Sequence, residues 1–140
     1  MNFRYGWIME FSLQTNGHTE FINITDRIEE FTRQSNVSEG IAVVFCKHTT
    51  TSIILSDDEE GLKNDIRNAL EKIAPEDGDY EHNSPGDQNG FAHIRSVLLG
   101  SSVTIPIEKG QLNLGTWQRI FLVDFDERPR ERKISVTYVS

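Results

Sequence analysis

Three short runs of this chain alternate apolar and polar residues, and one longer run does not. Val103, Ile105 and Ile107 alternate, as do Phe121, Val123 and Phe125, and again Ile134, Val136 and Tyr138. A period of two puts every second side chain on one face of a strand, the pattern of a sheet buried on that face. Leu62, Ile66, Ala69, Leu70 and Ile73 recur instead at helical spacing, one apolar stripe that Pro75 terminates. Ser56-Asp57-Asp58-Glu59, just ahead of that stripe, has the spacing of a capping box. Further strands are expected over residues 3–13 and 19–24, joined as a hairpin by Thr15-Asn16-Gly17, and over 41–45 and 52–55. Residues 26–35 read as a short helix with Thr25 as N-cap. Residues 91–99 read as another, closed by Gly100. Glu108-Lys109-Gly110 is the expected turn after the 103–107 strand, and residues 117–125 the expected long strand. About seven strands and two or three helices imply an α+β fold on an antiparallel β-sandwich-like core, with residues 1–140 as a single domain.

Charge and length narrow the function. A chain of 140 residues buries roughly 70% of its unfolded surface, enough for a core without staples. The net charge of −8 repels nucleic acid and anionic membranes, so neither is an expected partner. No apolar run approaches the roughly 18 residues of a transmembrane helix. The first five residues lack the charged-then-apolar pattern of a signal peptide. The single Cys46 has no internal disulfide partner, which fits a cytoplasmic protein.

Three of the four histidines stand among other polar groups: Lys47-His48-Thr49-Thr50-Thr51, Tyr80-Glu81-His82-Asn83 and Ala92-His93-Ile94-Arg95. Imidazoles from separate elements can converge on one metal ion. Each also has a simpler reading: His48 as the polar end of a strand, His82 as a surface loop residue, His93 as a hydrogen-bonded boundary residue of a helix. Their spacing matches no specific metal signature. Thr49, Thr50 and Ser52 supply hydroxyls beside His48 that hold a substrate or merely suit a strand. Asp57 and Asp65 stand in an acidic helix start that the helix dipole favours, and Asp57 lies near enough in sequence to His48 to act as a base. Trp117 and Gln118 line a pocket or plug the end of the sandwich. The mixed charges between Asp124 and Lys133 read as a solvated hairpin loop.

Taken in order, four segments resemble the YjbQ family, described as secondary thiamine-phosphate synthase enzymes. They are His48-Thr49-Thr50-Thr51-Ser52, Tyr80-Glu81-His82, His93-Ile94-Arg95-Ser96 with Leu99-Gly100-Ser101-Ser102, and Gly115-Thr116-Trp117-Gln118. The resemblance implies a sandwich-like α+β protomer that assembles as a homotrimer. It also implies a histidine-lined metal site near a subunit boundary, with His48, His82 and His93 on the family's histidines and a divalent ion such as zinc, manganese or magnesium. Where the family carries Asn-Glu this chain has Ser56-Asp57. Asp65 falls on a family aspartate, Arg95 on a family lysine and Arg132 on a family arginine. The implied reaction joins a thiazole phosphate to a hydroxymethylpyrimidine diphosphate and releases diphosphate. Asp57, Asp65 and Arg95 would then be catalytic, while Thr49, Thr50, Ser52, Trp117, Gln118 and Arg132 would contact a phosphorylated small molecule. Two rivals stand beside it: a metal-dependent hydrolase of unknown substrate, and a non-catalytic trimeric module that binds a metal or metabolite.

Overall fold

The alternating runs build two antiparallel sheets. The computed structural model describes residues 7–140. Among them, the elements are β1 (Trp7–Thr15), β2 (Glu20–Asn23), α1 (Thr25–Ser35), β3 (Gly40–Cys46), β4 (Thr51–Ser56) and α2 (Glu60–Ile73). Then come α3 (Gly90–Leu99), β5 (Ser102–Glu108), β6 (Gln111–Leu112), β7 (Arg119–Asp124) and β8 (Arg130–Val139). One sheet has the order β1-β8-β3-β5-β6, and the other β2-β7-β4.

The layers follow from which face of each strand is apolar. Phe11, Val44, Ile105, Ile134 and Val136 of the larger sheet meet Ile53, Ile120 and Leu122 of the smaller one in a shared core. Phe121 and Val123 point out of the other face of β7, where Leu70 and Ala74 of the α2 end and Phe91 and Ala92 of α3 cover them, with Phe125 just past the strand. Each large side chain buried this way contributes about 1.5–3 kcal/mol. Helix α1 closes one end of the sandwich: Ile28 is fully buried, and the Thr32 hydroxyl lies 3.0 Å from the Tyr138 hydroxyl. The α+β sandwich expected from the sequence is the fold observed. Among the described residues no helix is long and apolar enough to cross a membrane.

Several local expectations change. Residues 3–6 of the first expected strand lie outside the described residues. Strands β1 and β2 are not a hairpin, because β1 pairs with β8 and β2 with β7. Gly17, His18 and Thr19 all have positive φ (80°, 58° and 59°), and three such residues in succession turn the chain out of one sheet into the other. Thr25 is not an N-cap; its hydroxyl oxygen accepts the Ile120 N–H at 2.8 Å, pinning α1 to β7. The cap of α2 is Glu59 rather than Ser56, its carboxylate accepting the N–H groups of Gly61 (2.8 Å) and Leu62 (2.7 Å). Trp117 and Gln118 precede β7 in a turn instead of opening the strand.

Candidate functional site

The end of the sandwich opposite α1 is closed by charges. Along β8 the inward positions Tyr138, Val136 and Ile134 continue as Arg132 and Arg130. Along β7 the interior positions Ile120 and Leu122 continue as Asp124. The period of two that builds the core therefore places an arginine and a carboxylate where the core ends. Arg132 Nε donates to Asp124 Oδ2 at 2.7 Å, and Arg132 Nη2 to Asp124 Oδ1 at 2.9 Å, a bidentate pair. Thr15 of β1 donates to Asp124 Oδ2 at 2.6 Å, and the Asp126 N–H to Asp124 Oδ1 at 3.0 Å. Arg132 Nη2 also donates to Thr50 Oγ1 at 2.7 Å, and Thr50 donates to Asp126 Oδ2 at 3.1 Å. Arg130 Nη2 reaches Asp126 Oδ2 at 3.3 Å. Asp124, Asp126 and Arg132 are all buried. Burial pushes the Asp126 carboxyl up, but the Glu127 N–H, Arg130, the Thr50 hydroxyl and Arg132 together hold it below the ordinary carboxylate value.

This lattice floors a cleft of about 360 Å³ lined by Lys47, His48, Thr49, Thr50, Asn89, His93, Asp126, Arg130 and Arg132. A second hollow of about 350 Å³ adjoins it, lined by His48, Thr49, His93, Ser96, Val97, Gly100 and Ser101. His48, Thr49 and His93 line both. One hollow is rich in cations and hydroxyls, whereas the other runs along α3. His48 comes from the loop after β3, and its Nε2 accepts the Lys133 backbone N–H of β8 at 3.0 Å. His93 stands on the first turn of α3, beside the loop histidine His82. Their ring centroids are 4.4 Å apart and the rings tilt by 57°. His82 Nε2 pairs with Asn89 Oδ1 at 3.0 Å, and the His93 ring lies near the Thr49 backbone. Arg130 Nε is buried beside the cleft and has no partner. Fully buried Cys46 lies beneath, where burial pushes its thiol up despite the Thr51 hydroxyl and Arg132; it is packing rather than a nucleophile.

Burial lowers His48 below its ordinary value of 6.5, helped by Arg132. It lowers His93 likewise, helped by His82. A histidine that binds its proton less readily folded than unfolded keeps its full contribution to stability above the unfolded value. That contribution is lost as pH falls below about 6.5 toward the folded values. The melting temperature should therefore fall between pH 7.5 and pH 5.0, and a His48→Gln/His93→Gln double variant should flatten the slope. An equally steep slope in both proteins would contradict this.

Of the residues singled out from the sequence, His48, His82, His93, Thr49, Thr50 and Arg132 come together at this end. The others do not. Ser52 is fully buried, its hydroxyl donating to the Ser96 carbonyl at 3.3 Å beneath α3. Asp57 follows the far end of β4: Thr51 pairs with Asp124 but Ser56 with Arg119, and the strand between them spans roughly 17 Å. Asp65 is exposed on α2. Trp117 is 72% exposed and Gln118 closes its own turn, Oε1 accepting the Gly115 N–H at 2.8 Å. Both belong to the Arg119 end as well.

Arg95 also departs from its expected role as an anion clamp. It is 2% exposed, and its guanidinium points away from the cleft. Nε and Nη2 donate to the Ala74 carbonyl at 3.0 and 2.8 Å, Nη1 to Thr19 Oγ1 at 2.9 Å, and Nη2 to Glu71 Oε2 at 2.8 Å. The plane stacks on Phe91 at 5.0 Å. Arg95 ties α3 to the end of α2 and to the β1–β2 corner. Arg95→Ala should lower stability by about 2–4 kcal/mol: the pair with half-exposed Glu71 adds little, but the buried Ala74 carbonyl and Thr19 hydroxyl each lose a donor. Urea unfolding measures this, and a loss under about 1 kcal/mol would refute the staple.

Sequence reading missed Asp124, Asp126, Arg130 and Asn89. For Arg130 and Arg132 a signal was present: 130, 132, 134, 136 and 138 share one parity, so the apolar face of β8 continues into two arginines.

A family profile described as "UPF0047 protein YjbQ-like" matches residues 9–140. A UPF0047 protein of Archaeoglobus fulgidus is 41% identical over 128 residues, 91% of this chain and 98% of that one. One from Methanothermobacter thermautotrophicus is 39% identical over 131 residues, 94% and 90% of the two chains. The crystal structure of an uncharacterised YjbQ/UPF0047 protein from Clostridium acetobutylicum superposes with a TM-score of 0.85 at 43% identity, over 93% of this chain and 98% of that one. A YbjQ-like protein of unknown function from Sulfolobus solfataricus superposes with a TM-score of 0.87 at 30% identity, over 97% and 99%.

Proposed function

The chain belongs to the YjbQ-like UPF0047 family, and on that premise we propose a small-molecule enzyme whose cleft takes a phosphorylated substrate, with thiamine-phosphate formation as a secondary activity. The observation that carries this reading is the lining of the cleft, where Lys47, Arg130 and Arg132 stand with the Thr49 and Thr50 hydroxyls. Arg130 Nε has no acceptor in the protein, and a small rotation of its 39%-exposed side chain toward a bound phosphate would satisfy that donor. The carboxylates there already accept bonds from the protein: Asp124 from Arg132, Thr15 and the Asp126 N–H, Asp126 from Thr50 and the Glu127 N–H. What the cleft has to offer is donors.

In the proposed reaction the thiazole nitrogen attacks the methylene carbon of the pyrimidine diphosphate. A C–N bond forms, the C–O bond breaks, and diphosphate leaves with the electron pair. Donors fixed before the reaction stabilise that charge as it develops. Two adjoining hollows suit two reactants, the phosphorylated ends lying on the Arg130 side and a flat ring along Val97 of α3 and Gly100 just past its end. Asp57, Asp65 and Arg95 take no part in this cleft within one protomer.

A divalent metal belongs to the proposal. A ligating histidine usually directs its second ring N–H at an oxygen. His82 against Asn89 Oδ1 has this arrangement, and the His93 ring stands 4.4 Å from it, centroid to centroid. Among the described residues no three His, Cys, Asp or Glu side chains group as a metal site, so His82 and His93 would hold the ion only as a pair completed by substrate oxygens, and it would then neutralise charge on the leaving group. Zinc or manganese suits paired imidazoles better than magnesium. His48 fits less well, since its Nε2 already accepts the Lys133 N–H.

We also propose a homotrimer in the cytoplasm. Ile94 (39% exposed), Val97 (82%) and Leu98 (54%) on the outer face of α3, with Trp7 (55%) and Ile8 (68%) on β1, leave apolar surface that a second copy would cover. Light scattering should show three chains of 16.0 kDa per particle, and a monomer would refute it.

The deciding experiment measures diphosphate release and thiamine-phosphate formation with zinc or manganese added, beside calorimetric binding of inorganic diphosphate. Turnover that falls in His93→Ala supports the enzyme. Diphosphate binding without turnover points to the binding module, release of inorganic phosphate from a phosphomonoester panel to the hydrolase. No diphosphate binding at all removes the phosphate reading.

A further inference from the structure

His48 contributes something other than a metal bond. Its Nε2 accepts the Lys133 backbone N–H at 3.0 Å. A peptide N–H always donates, so the nitrogen facing it must present a lone pair. The imidazole proton then sits on Nδ1, and the two ring nitrogens have fixed, opposite roles. Lys133 belongs to β8, the strand between β1 and β3 that carries Arg130 and Arg132, so the tautomer is set by the sheet itself and not by a mobile loop. The ring lines both hollows, and among the described residues no acceptor meets Nδ1.

We infer that His48 is a neutral hydrogen-bond donor whose Nδ1–H is directed at an oxyanion of the ligand, beside Arg130 and Arg132. This rests on the phosphate reading above and names the part of that substrate His48 recognises. A metal at Nδ1 would require the proton to move to Nε2, where it would meet the Lys133 N–H head on. A proton-abstracting role is blocked for the same reason, because the basic nitrogen is already engaged. A neutral imidazole that donates is an efficient partner for developing negative charge: it keeps its proton, and being uncharged it is less costly to bury than imidazolium. Burial and Arg132 keep the ring neutral at physiological pH.

Long-range proton–nitrogen NMR correlations on the full chain, labelled at histidine, read the tautomer directly, with His48→Asn identifying the signal. The expected spectrum at pH 7 shows a protonated Nδ1 and a lone-pair Nε2. Adding inorganic phosphate should shift the Nδ1 proton, while adding zinc should move the His82 and His93 signals and leave the His48 nitrogens protonated as before. A protonated Nε2, or zinc coordination at His48, would overturn the inference. So would an Nδ1 proton unmoved by phosphate that demonstrably binds.

Calorimetry with inorganic phosphate supplies the second arm. The amide of His48→Asn sits where Nδ1–H was and should keep most of the affinity. His48→Gln, whose amide extends toward the Nε2 position, should bind about tenfold more weakly, the loss of one hydrogen bond to a charged group. Equal affinities in variants that melt like the wild type would overturn the donor role. If the wild type binds no phosphate, the cleft reading fails with the oxyanion assignment, while the spectrum still reports which nitrogen carries the proton.

Discussion

Replacing Asp124 with alanine is expected to destabilise the protein by about 3–5 kcal/mol, the cost of leaving a buried charge without its partner. Asp124 is 0% exposed and takes both prongs of Arg132, at 2.7 and 2.9 Å. Its removal leaves the buried guanidinium with one longer counter-charge contact, to Asp126 Oδ2 at 3.6 Å. It also leaves the Asp126 N–H without its acceptor, while the Thr15 hydroxyl keeps the Arg130 carbonyl at 3.2 Å. An Asp124→Leu/Arg132→Met double variant removes both charges and should recover much of the loss, as buried pairs do when replaced by apolar groups of similar volume. Urea midpoints of Asp124→Leu, Arg132→Met and the double variant measure the coupling. A single variant within about 1 kcal/mol of wild type would show the lattice to be dispensable.

The second large effect concerns rate rather than stability. Arg130→Ala should lower kcat/KM for diphosphate release by about 10²–10³-fold, the scale for losing one preorganised donor to developing charge. Its cost to folding should be small, about 1 kcal/mol or less, because the side chain is 39% exposed and such pairs contribute little. Asp126 keeps the Thr50 hydroxyl and the Glu127 N–H when Arg130 is gone. Arg95→Ala makes the opposite prediction, a large loss of stability with near-normal turnover in whatever fraction folds. Wild-type kcat/KM in Arg130→Ala would remove the arginine from the chemistry.

These contrasts show where sequence reading works and where it stops. The strands were legible because a one-sided sheet imposes a period of two, and α2 because its stripe recurs at helical spacing. His48 and His93, chosen for their polar surroundings, and Arg132, chosen by family resemblance, do line one cleft. Arg95 was misassigned because arginine on a helix carries no sign of direction. Its neighbours Ala74 and Thr19 lie 21 and 76 positions away, and only the packed structure shows that they consume its donors. Asp57 looked close to His48 by count, yet β4 between them runs the length of the small sheet. The hairpin failed because Gly17 marks a turn without saying which strand accepts it. The 124–133 segment was half legible: Arg128, Glu131 and Lys133 are exposed as mixed charges usually are, but Asp124, Asp126 and Arg132 pair off inside.

Strand β8 sits between β1 and β3 in the larger sheet, and it is the last strand described along the chain. Trp7 pairs with Tyr138, and Thr15 with Arg130. During synthesis neither β1 nor β3 has this neighbour until residues 130–139 emerge, so the larger sheet is necessarily a late event. Closing so long a loop carries an entropic cost before any pairing repays it, which favours slow refolding dominated by non-local contacts. Until then two strand edges stand open, and a nascent chain in that state is vulnerable to pairing with another copy. The same strand carries Arg130, Arg132 and the N–H of Lys133, so the cleft assembles in the step that shuts the sheet.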